Sequence, residues 1–315
     1  MSQLQNLVDH SYNPFTAKMA LDLAAPHTWP ASIVPVAIAV AITIATGYQV
    51  SATLTVALLG ICILMQSSVN TFNDYYDYVK GTDSSDENVD PTDAVLIYNN
   101  VNPTCALVFA IGLLVSAFIL GGYVIYHVGL IPLAIGAIGA VFVVLYSAGK
   151  TPISYLPLGE AVSGIVMGGL IPLASYQVLT GLLTPLAVLW AIPEILGIGL
   201  IMFTNNTCDI EKDALAHRRT LSVLLDRDKA RKLYHAVMWL WLVAIILIVG
   251  IFFTQGLIVL PFLLLSTYPL LKALRNNPLA PQSRQAAMSQ ICSANIALGA
   301  WYAAAILASN SVIVC

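Results

Sequence analysis

Two runs of this 315-residue chain place asparagine and aspartate at helical spacing. The first is Asn70-Thr-Phe-Asn73-Asp74-Tyr-Tyr-Asp77-Tyr-Val-Lys80-Gly81-Thr-Asp83. On a helix, Asn70, Asp74 and Asp77 stand at i, i+4 and i+7 and share one face, with Asn73 beside them. Gly81 suits a helix end, and Asp83 follows the turn. The second run, Asn205-Asn206-Thr-Cys-Asp209-Ile-Glu-Lys-Asp213, sets Asn205, Asp209 and Asp213 at i, i+4 and i+8, with Arg218 and Arg219 soon after. Carboxylates that converge repel one another unless a cation neutralises them, and oxygen-only donors suit Mg²⁺ better than Zn²⁺. Two such stripes on one side of a membrane would grip a diphosphate bridged by Mg²⁺, with Asp74, Asp77, Asp209 and Asp213 as the metal set. Either stripe alone also reads as a solvated helix end. The repeat, with Asn at matching offsets and cations following, favours the metal reading.

A third polar run lies between them: Tyr146-Ser-Ala-Gly149-Lys150-Thr-Pro152-Ile-Ser-Tyr155-Leu-Pro-Leu158-Gly159-Glu160. Lys150 is a candidate point-charge partner for phosphate, or an ordinary membrane-flanking lysine. Glu194, after Pro193 in an otherwise apolar stretch, is costly inside a bilayer. It reads either as functional or, preferably, as a protonated group bonded in a polar niche beside the proline. Cys62, Cys105, Cys208, Cys292 and Cys315 show no metal or redox spacing and read as small apolar residues.

The elements that must position these groups follow from composition. Residues are 58% hydrophobic and 9% charged, against about 25% charged in soluble domains. This is an all-α, polytopic membrane protein. A net charge of −3 with no basic patch argues against nucleic-acid binding. No removable signal peptide is expected. Residues 1–25 read as a cytosolic N-terminal lead-in, and 26–315 as one transmembrane domain. Measured against the roughly 20 apolar residues of a span, nine helices fit near 30–48, 52–73, 104–126, 129–147, 161–180, 184–205, 236–254, 256–273 and 287–309. Their connections alternate between short uncharged turns and longer polar loops. With a cytosolic N-terminus, all 13 Lys and Arg fall on the cytosolic side, as the positive-inside rule requires. The protein is then expected in the plasma (inner) membrane with its C-terminus outside, and both acidic runs face the cytosol.

At these residues the chain resembles the UbiA superfamily of intramembrane aromatic prenyltransferases, and most its 1,4-dihydroxy-2-naphthoate polyprenyltransferase branch. The resemblance runs from about Pro26 to the last helix. It is carried by Asn73-Asp74-x-x-Asp77-x-x-Lys80-Gly81-x-Asp83 and by Tyr146-x-x-Gly149-x-x-Pro152-x-x-Tyr155-x-x-Leu158-Gly159-Glu160. Asn205-Asn206-x-x-Asp209-Ile-x-x-Asp213, Arg219-Thr220-Leu221 and Ala230-Arg231-x-x-Tyr234-His235 complete it. The resemblance implies a nine-helix bundle around a central cavity open to the cytosol and to lipid. It also implies Mg²⁺, a polyprenyl diphosphate donor and an aromatic acid acceptor, in menaquinone biosynthesis. Three positions depart from the branch pattern. Ala25 stands where arginine is usual, Glu160 where aspartate is usual, and Asp90–Asn100 contains no Arg or Lys.

The expected chemistry is prenyl transfer. Charge on the departing diphosphate is neutralised at Asp74, Asp77, Asp209 and Asp213, with Lys150 and Arg219 assisting. Asn70, Asn73, Lys80, Asp83, Tyr146, Tyr155, Asn205 and Asn206 are expected to contact substrate. An apolar interior shields the allylic cation from water, and Tyr75, Tyr76, Tyr146 or Tyr155 could face it. Two alternatives stand: another acceptor such as 4-hydroxybenzoate on the same fold, or a cation-coupled transporter. Transporters place ionisable groups near the midplane, whereas here nearly all sit at one face.

Overall fold

The computed structural model describes residues 12–81 and 94–309. Asp83 and Asp90–Asp93 lie outside the described residues. The chain there is helical, with one isolated bridge between Asn13 and Val101. In order the helices are α1 (Ala17–Ala24), α2 (Pro30–Ala45), α3 (Ala52–Lys80), α4 (Val95–Tyr98), α5 (Pro103–Val128) and α6 (Ile131–Ser147). Then come α7 (Gly159–Thr180), α8 (Pro185–Trp190), α9 (Ile192–Cys208), α10 (Ile210–Leu215), α11 (Leu221–Phe252), α12 (Thr254–Asn276) and α13 (Pro281–Leu307).

Six of these (α3, α5, α7, α11, α12 and α13) are long and apolar enough to cross a membrane. A seventh arises if Ala17–Thr28 and Pro30–Ala45, bent by 52°, form one crossing. The other expected windows hold shorter or broken helices. α6 has 17 residues, and the window near 184–205 is divided at Ala191, with Pro193 opening α9. Proline is tolerated at a helix start because its missing N–H has no partner there anyway. The perimeter is apolar. Ile119, Leu265 and Ile258 are each more than 70% exposed, a surface that suits lipid rather than water.

Inside, large rings lock the bundle. Trp190 packs edge-on against Tyr176, Phe252 and Phe253, and the Tyr302 hydroxyl donates to the Trp190 carbonyl at 2.7 Å. Close helix approach depends on two glycines of α7, in its π-helical segment Gly164–Leu170. A Cβ on Gly164 would sit 2.4 Å from the Ile195 carbonyl oxygen, and one on Gly168 2.5 Å from the Ile195 nitrogen. Small residues let helix backbones touch where no hydrophobic drive separates helix from lipid.

The polar loops collect at one end of the bundle. Lys80 Nζ donates to the Ser147 carbonyl at 2.8 Å, the Arg219 N–H to the Tyr155 carbonyl at 2.8 Å, and Arg227 Nε to the Leu279 carbonyl at 2.9 Å. The C-termini of α3 and α9 and the N-terminus of α13 meet there.

Candidate active site

α3 runs past the apolar stretch to Lys80, where Gly81 at φ 68° takes the left-handed turn and donates to the Asp77 and Tyr78 carbonyls. The first stripe therefore lies on regular helix. Asn70 Nδ2 donates to Thr28 Oγ1 at 2.8 Å and to the Ala24 carbonyl at 3.2 Å, while its Oδ1 accepts from Gln66. Asn73 donates to Asp77 at 3.3 Å and accepts from Ser147 Oγ at 3.1 Å. Asp74, buried, accepts from the Val95 and Leu96 N–H groups at 3.0 and 3.4 Å. It thereby satisfies donors at the start of α4 that no helical carbonyl can reach.

Asp77 lies in the last turn of α3, at the negative end of its dipole, and Asp209 at the junction where α9 ends and α10 begins. Each has an arginine. Arg218 pairs with Asp77 and reaches Asp213 Oδ1 at 3.6 Å, so it ties the first stripe to the second. Arg284 donates through Nε to both oxygens of Asp209, at 2.9 and 3.1 Å, and through Nη2 to Asn205 Oδ1 at 2.6 Å. Asp213 is buried and accepts from Thr220 Oγ1 at 3.3 Å. Burial pushes its carboxyl up to about 7, against the pull of Arg218. Burial works against the charge of Arg218 too, but Asp77 and Asp213 outweigh it and raise its pKa above the ordinary arginine value.

Local backbone geometry decides which of the two adjacent arginines turns inward. At the end of α10, His217 is left-handed at φ 56°. Its N–H bonds the Ala214 carbonyl, and the Arg218 N–H bonds the Asp213 carbonyl at 2.8 Å. This is a Schellman ending; it folds Arg218 back over Asp213 and leaves Arg219 exposed.

A cavity of about 830 Å³ opens from these groups. Asp74, Asp77, Asp209, Arg218 and Arg284 line its polar end; Leu58, Val124, Pro132 and Val178 line its far end. Leu58 and Asp77 are both on α3, roughly 28 Å apart at 1.5 Å per residue. A charged mouth thus leads into a long apolar shaft, a shape for an amphiphile with an anionic head.

Residues 32–299 match the UbiA prenyltransferase family. The chain belongs to that family.

It is 33% identical over 229 residues to a 1,4-dihydroxy-2-naphthoate octaprenyltransferase of Bacillus subtilis (strain 168), covering 71% of this chain and 72% of that protein. It is 28% identical over 241 residues to UbiA prenyltransferase domain-containing protein 1 of Danio rerio, covering 70% and 68%. The fold matches a UbiA homolog from Archaeoglobus fulgidus, solved bound to GPP and Mg²⁺, with a TM-score of 0.63 at 14% identity over 92% of this chain and 99% of that one. This UbiA-family chain is a prenyltransferase, and its helices enclose a cavity between the Asn/Asp stripes.

Of the residues singled out by sequence, Asn70, Asn73, Asp74 and Asp77 share the cavity wall with Asn205, Asn206 and Asp209. Tyr146 joins them, while Asn206 also donates to Glu160 at 2.8 Å. Asp213 lies behind that wall. Tyr155 and Lys80 stand beside it: the Tyr155 ring has Lys80 Nζ and the Arg218 guanidinium each 4.8 Å from its centroid. Lys150 and Arg219 are exposed and form no part of the wall. Asp83 lies outside the described residues. Glu194 is buried between α9 and α13 with Oε1 facing Gly299, away from the cavity wall. Sequence reasoning missed Arg284, Gln66 and Thr28. Arg284 follows Asp209 by 75 residues, and nothing local marks it as other than a membrane-flanking arginine.

As a metal site the donors are all oxygens, which fits a hard ion. Among the described residues no three His, Cys, Asp or Glu side chains cluster closely enough to hold one by themselves. Asp77, Asp209 and Asp213 face arginines instead, and Asp74 faces backbone N–H groups. Such a set suits an ion that brings further oxygens with it, as a diphosphate salt does.

Proposed function

We propose that this prenyltransferase moves a polyprenyl group from polyprenyl diphosphate to 1,4-dihydroxy-2-naphthoate, with loss of CO₂, in a Mg²⁺-dependent step of menaquinone biosynthesis. The observation that carries the proposal is the meeting of Asp77 and Asp209, from separate stripes, on the wall of one cavity with an apolar shaft. Likeness to the Bacillus subtilis enzyme supports the acceptor, and the GPP- and Mg²⁺-bound Archaeoglobus fulgidus homolog supports donor and ion.

Asp74, Asp77 and Asp209, on the cavity wall, would hold Mg²⁺, whose contribution is to neutralise charge building on the departing diphosphate, and Asp213, behind the wall, anchors Arg218 beside them. Arg218 and the Asn70–Thr28–Gln66 cluster orient the head group at the mouth. Lys150, Arg219 and Lys80 draw the anion toward the mouth from outside. Asn73 fixes Asp77, Asn205 holds Arg284 beside Asp209, Asn206 is held by Glu160 on the wall, and Asp83 completes the first motif. The shaft keeps water from the allylic cation until the acceptor ring attacks it, with Tyr146 on the wall and Tyr155 behind it. The chain crosses the plasma membrane nine times, with N-terminus and site cytosolic and C-terminus outside.

A second reading changes only the acceptor, toward 4-hydroxybenzoate or another ring. It is favoured by Ala25, where an arginine would have met substrate, and by the neutral side chains of Thr28 and Gln66 on the adjacent wall. Mass spectrometry of lipid products made from a panel of aromatic acids, with and without chelator, tests both. A prenylated naphthoquinol lacking the carboxyl group is expected only with divalent ion present. Its absence beside a different prenylated ring would overturn the acceptor assignment.

A further inference from the structure

Arg284 lies in the first turns of α13, far in sequence from either stripe, yet its guanidinium lies across Asp209. Nε spans both Asp209 oxygens and Nη2 takes Asn205 Oδ1. The Arg284 and Asp209 side chains are each only 15% exposed, and both line the cavity mouth. A guanidinium lying across a carboxylate blocks the oxygens that an incoming ion must use. The same planar fork also fits phosphate oxygens two at a time.

We propose that Arg284 is a resident counter-ion of the second stripe. It holds Asp209 and Asn205 in the ligand-free protein and passes to the diphosphate when a divalent cation takes Asp209. This rests on the prenyl-diphosphate reading above. The exchange balances charge at each stage. Asp209, largely buried at the junction of α9 and α10, is never left without a cation, and the guanidinium goes from one anion to another without standing alone in a largely buried site. It also makes Arg284 a gate on metal entry: a bare ion must displace it, whereas an ion arriving with diphosphate offers it a new partner.

The consequence has opposite signs for two ligands. Removing the guanidinium should strengthen binding of a bare ion and weaken binding of the ion with diphosphate. The test uses the full chain in detergent, as wild type, Arg284→Gln and Arg284→Lys. Free Mn²⁺ is followed by electron paramagnetic resonance, and binding of a non-reactive geranyl thiolodiphosphate with Mg²⁺ by calorimetry. For Arg284→Gln, Mn²⁺ binding tightens by about threefold or more, and diphosphate binding weakens by about tenfold, the loss of one charge-assisted contact. Arg284→Lys keeps the charge without the fork and shows both changes in the same directions at smaller size. It serves as the decisive variant should Arg284→Gln fail to fold. Parallel weakening of both ligands, or no change in either, would falsify the exchange and leave Arg284 a structural residue. If wild type fails to bind the diphosphate analogue with Mg²⁺, the underlying reading fails first, and the inference falls with it.

Discussion

Asp74 carries two duties that substitution can separate. Its oxygens accept from Val95 and Leu96 N–H groups while it also lines the cavity mouth. Asp74→Asn keeps one acceptor, enough for the shorter bond from Val95 N–H, and removes the charge, so most thermal stability should hold while prenyl transfer is lost. Asp74→Ala removes both, and should cost about 1 kcal/mol of stability as an uncapped helix start does. Thermal unfolding in detergent beside a transfer assay reads the two effects apart; equal stability losses would mean that capping is not the structural role. At Asp77 the expectation is simpler. Asp77→Asn leaves Arg218 with Asp213 alone, and transfer should fall by at least about 10²-fold, as when a preorganised charge is removed from a site. Insertion into membranes should be unchanged, and near wild-type turnover would exclude Asp77 from the reaction.

At the scale of elements, the register of α7 against α9 sets where Asn205, Asn206 and Asp209 point. Gly164 and Gly168 allow that register, since their absent Cβ atoms would lie 2.4 to 2.5 Å from Ile195 backbone atoms. Gly168→Val should push the two helices apart, lower the unfolding temperature in detergent and reduce transfer, through overpacking against backbone that cannot yield. A variant that unfolds at the wild-type temperature would show that the contact is not tight. The ends of α3 and α10 matter as much as their lengths. Gly81 closes α3 so that Lys80 can reach the Ser147 carbonyl, and the Schellman turn at His217 delivers Arg218 to Asp77.

Across the whole molecule the cavity joins a charged mouth to an apolar far end, and its length should govern the prenyl chain accepted. Gly136 of α6 lines it, and a Cβ there would meet nothing within 4 Å. Gly136→Phe therefore fills the shaft without disturbing backbone. It should shift products toward shorter prenyl chains while shorter donors keep their rates, measured by mass spectrometry with donors of graded length. An unchanged length distribution would mean that the chain runs elsewhere. The apolar perimeter and the polar end of the described residues define an orientation, which cysteine labelling of Lys150→Cys in intact cells would assign; protection from an impermeant reagent is expected for a cytosolic loop.

Local pattern was enough to reveal much of this protein. Apolar runs longer than a bilayer is thick, broken by short uncharged turns, dictate a helical membrane bundle, because lipid offers the backbone no hydrogen bonds. Spacing at i, i+4 and i+7 puts Asn70, Asp74 and Asp77 on one face of any helix, so the stripes were visible before their neighbours were. Of the nine expected spans, six or seven are single helices long and apolar enough to cross among the described residues, while α6 is short and α8 breaks from α9. Pairing between stripes and cations was hidden altogether. Arg218 rather than Arg219 faces Asp77, Asp74 bonds the start of α4, and Arg284 arrives from the last helix. Those contacts depend on how helices rotate and slide against one another, and that is set by close glycine packing and turn geometry between elements, which no periodicity within one segment encodes.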